Sequence, residues 1–377
     1  MTGLTTGPAG VATMVQENKK ERFSAAVSLT GIRKSYGDVV ALRDIDLEIE
    51  KGSFVTLLGP SGSGKTTLLQ VIAGFLQPDQ GSVFLSGVEA THVPAHRRGL
   101  GLVFQHYALF PHMTVRDNIA YGLRIRNHGR QEQMALIEEY LGVVELRNVL
   151  DRYPHELSGG QRQRVALARA LVYKPSVVLL DEALGALDRK LRQTLQFTIK
   201  HIQQSVGATF IHVTHDQDEA LAMSDRIILL RDGGLEQVGT PEDLYIRPAT
   251  SFAAGFMGET NRLDVTIVGR DTQGVHLRHD DSGQSIRLPA GAGGPASGSA
   301  VLCVRPENVR IGEREQPGDL TGVLRTRTFM GDHWRLDVAV GSASLVVKEP
   351  ASGAASVPEP GPVSIDFDSD RARLYSE

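Results

Sequence analysis

The chain has 377 residues, a mass of 40.8 kDa and a formal net charge of −4. Its length predicts two or three domains, and 40 basic against 44 acidic residues argue against a dedicated nucleic-acid binder, which needs a basic excess for phosphate contacts. The single cysteine, Cys303, excludes a disulfide framework and a zinc site built from several cysteines.

The sequence shows neither a membrane-spanning helix nor an export signal. No run approaches the roughly 18 apolar residues that a spanning helix needs. The first 20 residues lack the apolar stretch that follows a basic start in a signal peptide. We therefore expect the chain in a reducing cytoplasm, and we expect any work at a membrane to go through a partner.

The chain divides into three stretches that differ in composition and hydrophobic pattern. Residues 1–24 are small, polar and aperiodic, which predicts a disordered tail. Residues 25–258 alternate apolar strands with amphipathic helices, as in a mostly parallel sheet; the strand candidates are 54–59, 177–181, 209–215 and 226–233. Within this stretch, about 107–170 predicts an inserted helical subdomain. Residues 259–377 hold short β-type runs between Gly/Pro-rich loops, which predicts a small all-β barrel or sandwich.

The first chemical motif lies between a strand and a helix. Residues 59–66 read GPSGSGKT, follow the apolar run SFVTLL and open the helical run TTLLQVIAG. Glycines let successive backbone N–H groups point at one anion, and the helix start adds its dipole. Lys65 offers a positive charge to the β- and γ-phosphates, and Thr66 offers a hydroxyl to Mg²⁺. The segment predicts a binding site for a nucleoside triphosphate.

Two acidic residues stand at the end of a later apolar strand. Asp181 closes the run VVLLD, the position at which P-loop enzymes hold Mg²⁺, usually through water. Glu182 follows it and is a candidate to polarise the water that attacks the γ-phosphate. An isolated Asp-Glu pair is commonly a solvated turn, but nearness to the phosphate loop favours the catalytic interpretation.

A second phosphate site is predicted at the start of another helix. Residues 157–171 read LSGGQRQRVALARAL, with apolar residues spaced three and four apart. Ser158 is a good N-cap, and the glycines after it leave N–H groups open to an anion. The N/T-K-x-D base motif of GTPases is missing at a suitable place after Asp181.

Together these motifs resemble the ATP-binding subunit of a bacterial ATP-binding-cassette (ABC) importer. GPSGSGKT is similar to the Walker A loop, VVLLDE to the Walker B strand with its glutamate, and LSGGQ to the ABC signature. The resemblance covers about 27–255 closely. Its other matching residues are Tyr36 as the aromatic that stacks on adenine, Gln105 as the Q-loop glutamine, Asp188 in the D-loop and His215 as the H-loop histidine.

The resemblance implies an α/β P-loop NTPase (ABC ATPase) fold with the inserted helical subdomain, followed by a small all-β, OB-like domain. It implies an ATPase that converts ATP and water to ADP and phosphate with Mg²⁺. The catalytic residues would be Glu182, His215, Lys65 and Gln105. The metal would be held by Thr66, Gln105 and Asp181. Nucleotide contacts would come from Tyr36, Gly59, Pro60, Ser61, Gly62, Ser63, Gly64, Lys65, Thr66, Thr67, Ser158, Gly159, Gly160, Gln161 and Asp188.

One segment departs from the family pattern. The family's EPLS-x-LD stands here as EALGALD (182–188), with Ala183 and Gly185 in place of proline and serine. The resemblance implies that this change removes a serine hydroxyl contact near the nucleotide of a second, opposing subunit. We expect weaker coupling or no effect, but no loss of hydrolysis, because Glu182 and Asp188 remain.

The resemblance also implies an assembly. Two copies would pack head to tail, so that Ser158 and Gly160 of one close over the γ-phosphate held by Lys65 of the other. Opening and closing of this homodimer would drive two integral-membrane permease subunits, touched by the helical insert near Gln105. A periplasmic or extracellular solute-binding protein would reach the complex through the permease, and the chain would lie at the cytoplasmic face of the cell membrane.

The C-terminal region and the cargo are less sharply marked. VRPENVRI (304–311) resembles the core of the accessory β-barrel called a TOBE domain, expected to support the dimer or receive regulatory signals. GFMGETN (255–261) and the general layout look most like the spermidine/putrescine importer group. Ferric-iron, sulfate and sugar importers share much of this pattern and stay open, as does a regulatory ABC ATPase without a membrane partner.

Overall fold

The computed structural model describes residues 25–146, 148–182, 189–272, 274–290, 292–312, 320–352 and 360–376. The predicted tail, 1–24, and the D-loop residues Ala183, Gly185 and Asp188 lie outside the described residues. Two units make up the chain, Met1–Pro241 and Glu242–Glu377, each with its own sheets and core. This division precedes the predicted boundary at 258/259, which stays a prediction.

The described strands of the first unit form two sheets. These strands are β1 Ala25–Tyr36, β2 Val39–Glu50, β3 Phe54–Leu58, β4 Gln80–Leu85, β5 Val88–Glu89, β6 Gly101–Val103, β7 Val177–Asp181, β8 Thr209–Val213, β9 Arg226–Arg231 and β10 Gly234–Gly239. One sheet is antiparallel, in the order β2-β1-β4-β5. The other has six strands in the order β10-β9-β3-β8-β7-β6, of which β9 through β6 run parallel.

The parallel strands lie in the buried interior because they consist mostly of continuous apolar runs. All residues of β3 and β8 are buried, and so are the first four of β7. Such runs are typical of strands that helices cover on both faces. The four predicted strands are confirmed, with earlier ends for three of them. β3 ends at Leu58, one residue before its predicted end, and β8 and β9 end at Val213 and Arg231, two residues before theirs, because the chain turns there into loops.

Helices cover this sheet and form the predicted insert. The α helices are α1 Lys65–Ala73, α2 Val115–Ile125, α3 Arg130–Val143, α4 Gly159–Leu171, α5 Arg189–Val206 and α6 Gln217–Met223, and 3-10 turns occupy Ala95–Arg97 and Pro154–Glu156. Between β6 and β7 the described residues are helical or in loops, which confirms the helical subdomain. Buried Ile119, Leu141 and Val165 join α2, α3 and α4 in one core with Phe210 of β8.

The second unit is mainly antiparallel β. Its helices are α7 Pro241–Ile246, which crosses the boundary between the units, and α8 Ser251–Phe256; its strands are β11 Asn261–Asp271, β12 Gly274–His279, β13 Ser285–Leu288, β14 Gly298–Val304, β15 Val309–Gly312, β16 Leu320–Phe329, β17 His333–Val340, β18 Ala343–Pro350, β19 Gly361–Phe367 and β20 Arg373–Ser376, with a 3-10 turn at Pro306–Asn308. The sheets β13-β12-β11-β14-β20 and β15-β19-β16-β17-β18 share one apolar core, as expected for an all-β region. Cys303 is buried. None of the helices in the described residues has the length and apolar character needed to cross a membrane.

Candidate nucleotide-binding site

Four loops meet at one edge of the parallel sheet because β3, β8, β7 and β6 are neighbours in that order. These strands lead into residues 59–64, His215, Glu182 and Gln105, respectively. Glu182 Oε1 lies 3.2 Å from His215 Nδ1, and Gln105 Nε2 donates to Glu182 Oε2 at 3.3 Å. Strand order therefore brings together three predicted site residues that are far apart in sequence.

The phosphate loop approaches neighbouring backbone at two positions that only glycine accommodates. A Cβ on Gly59 would lie 2.3 Å from the Leu230 carbonyl oxygen, and one on Gly64 would lie 2.6 Å from the Ala41 carbonyl oxygen. Both glycines have positive φ, +153° and +98°. The loop is thus fixed between β9 and β2, which keeps its N–H groups in one arrangement.

Gly64→Ala is expected to destabilise the first unit by about 1–3 kcal/mol or more, because the new methyl group meets backbone while φ stays in the left-handed region. Urea unfolding measures the change. Gly255→Ala is the matched control: Gly255 is helical with open space around its Cβ position, so alanine should stabilise by about 0.5–1 kcal/mol. Equal unfolding midpoints for wild type and Gly64→Ala would contradict a rigid contact with Ala41.

A cavity of about 340 Å³ lies against this loop. Its walls are Ser61, Gly62 and residues 64–67 from the loop and helix start, residues 39–41 from the start of β2, and the side chains of Glu182 and His215. Loop, base candidate and histidine therefore share one cavity. The Ser63 hydroxyl, buried below, has no hydrogen-bond partner in the described residues. Gly62 has open space where a Cβ would stand, so its backbone is free to be approached.

The pKa values of two residues beside the phosphate loop are shifted: Lys65, which lines the cavity, and Asp181, at the end of β7. Lys65 Nζ donates to the carbonyl oxygens of Gly59 and Pro60, both at 2.8 Å, and burial lowers the pKa of its ammonium while the charge of Glu182 partly opposes that effect. Burial, and then the charge of Glu182, raise the pKa of the Asp181 carboxyl. A phosphate near Lys65 and a cation near Asp181 would each favour the charged form of the group beside it.

Residues 39–41 line the cavity although the sequence did not single them out. Tyr36 ends β1 and pairs in register with Val39 across the tight hairpin. Tyr36, Val39 and Val40 are all exposed, with Val39 at 68%. The sequence did carry a signal for these residues: apolar side chains on both sides of a tight turn are exposed, and exposed apolar side chains can cover an aromatic base. The register places Tyr36 beside the strand that lines the cavity, although Tyr36 itself is not part of the lining.

The signature residues lie apart from this cavity. Ser158 Oγ accepts a hydrogen bond from the Gln161 backbone N–H at 3.3 Å, and Gln161 Oε1 accepts from the Ser158 N–H at 3.0 Å, which forms a capping box at the start of α4. None of residues 158–161, all of them described, lines the cavity. Within one chain the two predicted phosphate sites are therefore separate.

The segment after Gln105 has a strained backbone. Tyr107 and Ala108 have φ of +61° and +47°, and left-handed conformations cost about 1–3 kcal/mol for residues other than glycine. The buried amide of Asn118 fixes the end of the segment: it accepts from the Phe110 N–H at 2.9 Å and donates to three carbonyl oxygens, among them that of Phe110. No sequence pattern indicated this arrangement.

Two protein families match this chain. The ABC transporter family matches residues 42–185, and the TOBE domain family matches residues 302–374. The chain is 44% identical over 322 residues to the spermidine/putrescine import ATP-binding protein PotA of Aliivibrio fischeri, covering 84% of this chain and 85% of the relative. It is 45% identical over 321 residues to the Fe(3+) ions import ATP-binding protein FbpC of Rhizobium etli, covering 85% and 90%.

A solved structure shows the same cassette fold. The dimeric ATP-binding cassette MJ0796, in a post-hydrolysis state bound to ADP and Pi, is 34% identical, with a TM-score of 0.51 over 57% of this chain and 98% of that one. The relatives confirm the expected fold class and ATPase activity. The chain belongs to the ATP-hydrolysing, ATP-binding subunits of ABC importers that carry a C-terminal TOBE domain.

Proposed function

We propose that two copies of this chain hydrolyse ATP at shared sites and drive solute uptake through two membrane permease subunits at the cytoplasmic face of the cell membrane. The observation that carries the site assignment is that Glu182 and His215 line the cavity that contains Lys65 and that Gln105 donates a hydrogen bond to Glu182. A carboxylate beside a buried ammonium, at the edge of a P-loop sheet, is suited to phosphoryl transfer to water.

Each catalytic side chain has a distinct task in this proposal. Lys65 exchanges its bonds to the loop carbonyls for the β- and γ-phosphates, and phosphate charge offsets the burial of its ammonium. Glu182 accepts the proton of the attacking water, while Gln105 and His215 fix the orientation of its carboxylate. Tyr36 stacks on the adenine beside residues 39–41. Stabilisation of the charge on the γ-phosphate is the main electrostatic contribution.

The residues present also fit a magnesium ion. Thr66 at the start of α1, Asp181 at the end of β7 and Gln105 offer oxygen donors, which Mg²⁺ prefers. Burial, and then the charge of Glu182, raise the pKa of Asp181, and a cation beside this carboxylate would offset the repulsion between the two carboxylates. When bound, the ion supplies positive charge to the phosphate oxygens.

The separation of the two phosphate sites supports the proposed homodimer. Ser158, Gly159, Gly160 and Gln161 stand at a capped helix start that does not reach the cavity of their own chain. A head-to-tail partner would place them over the nucleotide held by Lys65 of the other copy. The dimeric state of the cassette MJ0796 supports this arrangement. Asp188, predicted to contribute at the same interface, lies outside the described residues.

For the cargo we propose a polyamine such as spermidine or putrescine, delivered by a solute-binding protein to the permease. The support is the name of the Aliivibrio fischeri relative together with the GFMGETN segment. Ferric iron is the second candidate, because the Rhizobium etli relative is equally similar.

Uptake by the complete complex in lipid vesicles tests the proposal. The chain is reconstituted with its permease and solute-binding protein, and ATP-dependent uptake of labelled spermidine, putrescine and Fe³⁺ is measured with ATP hydrolysis. We expect polyamine uptake that Glu182→Gln abolishes. Uptake of Fe³⁺ alone would show that the proposed solute is wrong, while the proposal of ATP-driven uptake would stand. Hydrolysis without any association with a permease would instead favour a regulatory ATPase.

A further inference from the structure

The Arg169 side chain connects two parts of the proposed machinery that are distant in sequence. Arg169 lies near the end of α4, the helix that Ser158 caps, and its guanidinium reaches the segment that follows Gln105. One nitrogen, Nη1, donates to the Ala108 carbonyl oxygen at 2.7 Å, and Nη2 donates to the Tyr107 carbonyl oxygen at 2.8 Å. These are the two residues with left-handed backbone.

The fork of the guanidinium matches this task. The two terminal nitrogens of the Arg169 guanidinium donate hydrogen bonds to two consecutive carbonyl oxygens, which a single ammonium group cannot do with the same geometry. The guanidinium also faces the Phe110 ring, at 5.6 Å from the centroid. Two consecutive non-glycine residues hold left-handed conformations only where surrounding contacts determine them. Among the described residues, Arg169 and Asn118 donate side-chain hydrogen bonds to the backbone oxygens of this segment, at its middle and at its end.

The contact between Arg169 and Tyr107 is close in the chain to Gln105, which contacts the proposed catalytic base Glu182. Gln105 stands two residues before Tyr107, and its amide donates to Glu182. At the other end, α4 runs about 16 Å, at 1.5 Å per residue, from Ser158 to Arg169. A rigid helix therefore links the signature end of this chain to the segment that carries its own Gln105.

We propose that Arg169 is a positioning residue: it anchors the Gln105 segment to α4, so that Gln105 stays directed at Glu182 and the signature end and the catalytic site of one chain respond to each other. The inference rests on the proposed role of Gln105. Arg169 does not line the cavity that contains Lys65, and in this proposal it acts by holding the two strained residues in place.

The test is a double-mutant cycle with the full chain, in which kcat and KM for ATP hydrolysis are measured for Arg169→Met, Gln105→Ala and the double variant. Arg169→Met should lower kcat about 10-fold with KM changed less than about 2-fold, because geometry is lost and nucleotide binding is not. If Arg169 acts through Gln105, the double variant is no slower than Gln105→Ala alone.

The control is Arg126→Met, the same substitution at an exposed arginine that donates to the Gly122 carbonyl and lies over the Tyr173 ring; in the described residues Arg126 makes no hydrogen bond to the Gln105 segment. Its kcat should stay within about 2-fold of wild type. If Arg169→Met proves too unstable to assay, Arg169→Lys replaces it in the cycle, with an expected loss of about 3-fold because one donor position replaces the fork.

Each outcome decides between the alternatives. Losses that multiply in the double variant would show that Arg169 acts independently of Gln105 and would overturn the inference, as would a wild-type kcat in the Arg169 variants. If Gln105→Ala alone has the wild-type kcat, Arg169 has nothing to position and the inference fails, while ATP hydrolysis itself continues to support the motor. A lower melting temperature with unchanged kcat would mean a merely structural role.

Discussion

Glu182→Gln is expected to slow ATP turnover by about 10²- to 10⁴-fold while ATP continues to bind. The amide has the size of the carboxylate, so it can still accept from Gln105 Nε2 and lie beside His215 Nδ1. It cannot take up the proton of the attacking water. Steady-state hydrolysis and equilibrium binding of ATP measure the two effects separately, and size-exclusion chromatography with ATP and Mg²⁺ should show accumulation of a dimer.

The matched control is Glu139→Gln. Glu139 forms a half-exposed ion pair with Lys174 at 3.3 Å, far in sequence from the catalytic residues, and exposed pairs contribute about 0–1 kcal/mol. Its turnover should equal that of wild type. If Glu182→Gln also turns over at the wild-type rate, another group is the base. If Glu182→Gln instead lowers the affinity for ATP, Glu182 contributes to nucleotide binding rather than to the chemical step.

Local patterns predicted the parts of the fold that local chemistry determines. The phosphate loop is readable because Gly59 and Gly64 fix a backbone that no other residue accommodates. The strand at 177–181 is readable because four consecutive buried residues need cover on both faces. The predicted ends of the strands were less accurate: β8 stops at Val213, and His215, the last residue predicted for it, lies in the following loop beside Glu182.

Contacts between distant segments were not readable from the residues alone. The meeting of Gln105, Glu182 and His215 depends on the strand order β8-β7-β6, which no local pattern encodes. The lining by residues 39–41 depends on the hairpin register that pairs Tyr36 with Val39. Here the family resemblance supplied what the patterns did not. Neither source predicted the left-handed backbone at Tyr107, because tertiary contacts impose it on a residue with no intrinsic preference for it.

Ser158→Arg is expected to lower ATP turnover about 100-fold or more, without weakening ATP binding to the isolated chain. The physical reason is that the two phosphate sites of one chain are not shared: Ser158 caps α4 and does not line the cavity that contains Lys65. An arginine at this helix start would obstruct the place where the partner's γ-phosphate must fit. Fluorescent-nucleotide binding at low protein concentration and hydrolysis at high concentration measure the two quantities.

Loss of the cap itself needs a control, because replacing a serine N-cap costs about 0.5–2 kcal/mol. Thr250→Arg makes the same kind of change at the start of α8, where the Thr250 hydroxyl accepts from the Ala253 N–H at 3.1 Å. It should leave turnover unchanged. Mixing Ser158→Arg with Lys65→Ala then separates the two models: if signature and phosphate loop act on one nucleotide from different chains, mixed dimers contain one complete site and turnover returns. A large fall in ATP affinity of the isolated Ser158→Arg chain would mean that Ser158 serves its own nucleotide, and the shared site would be wrong.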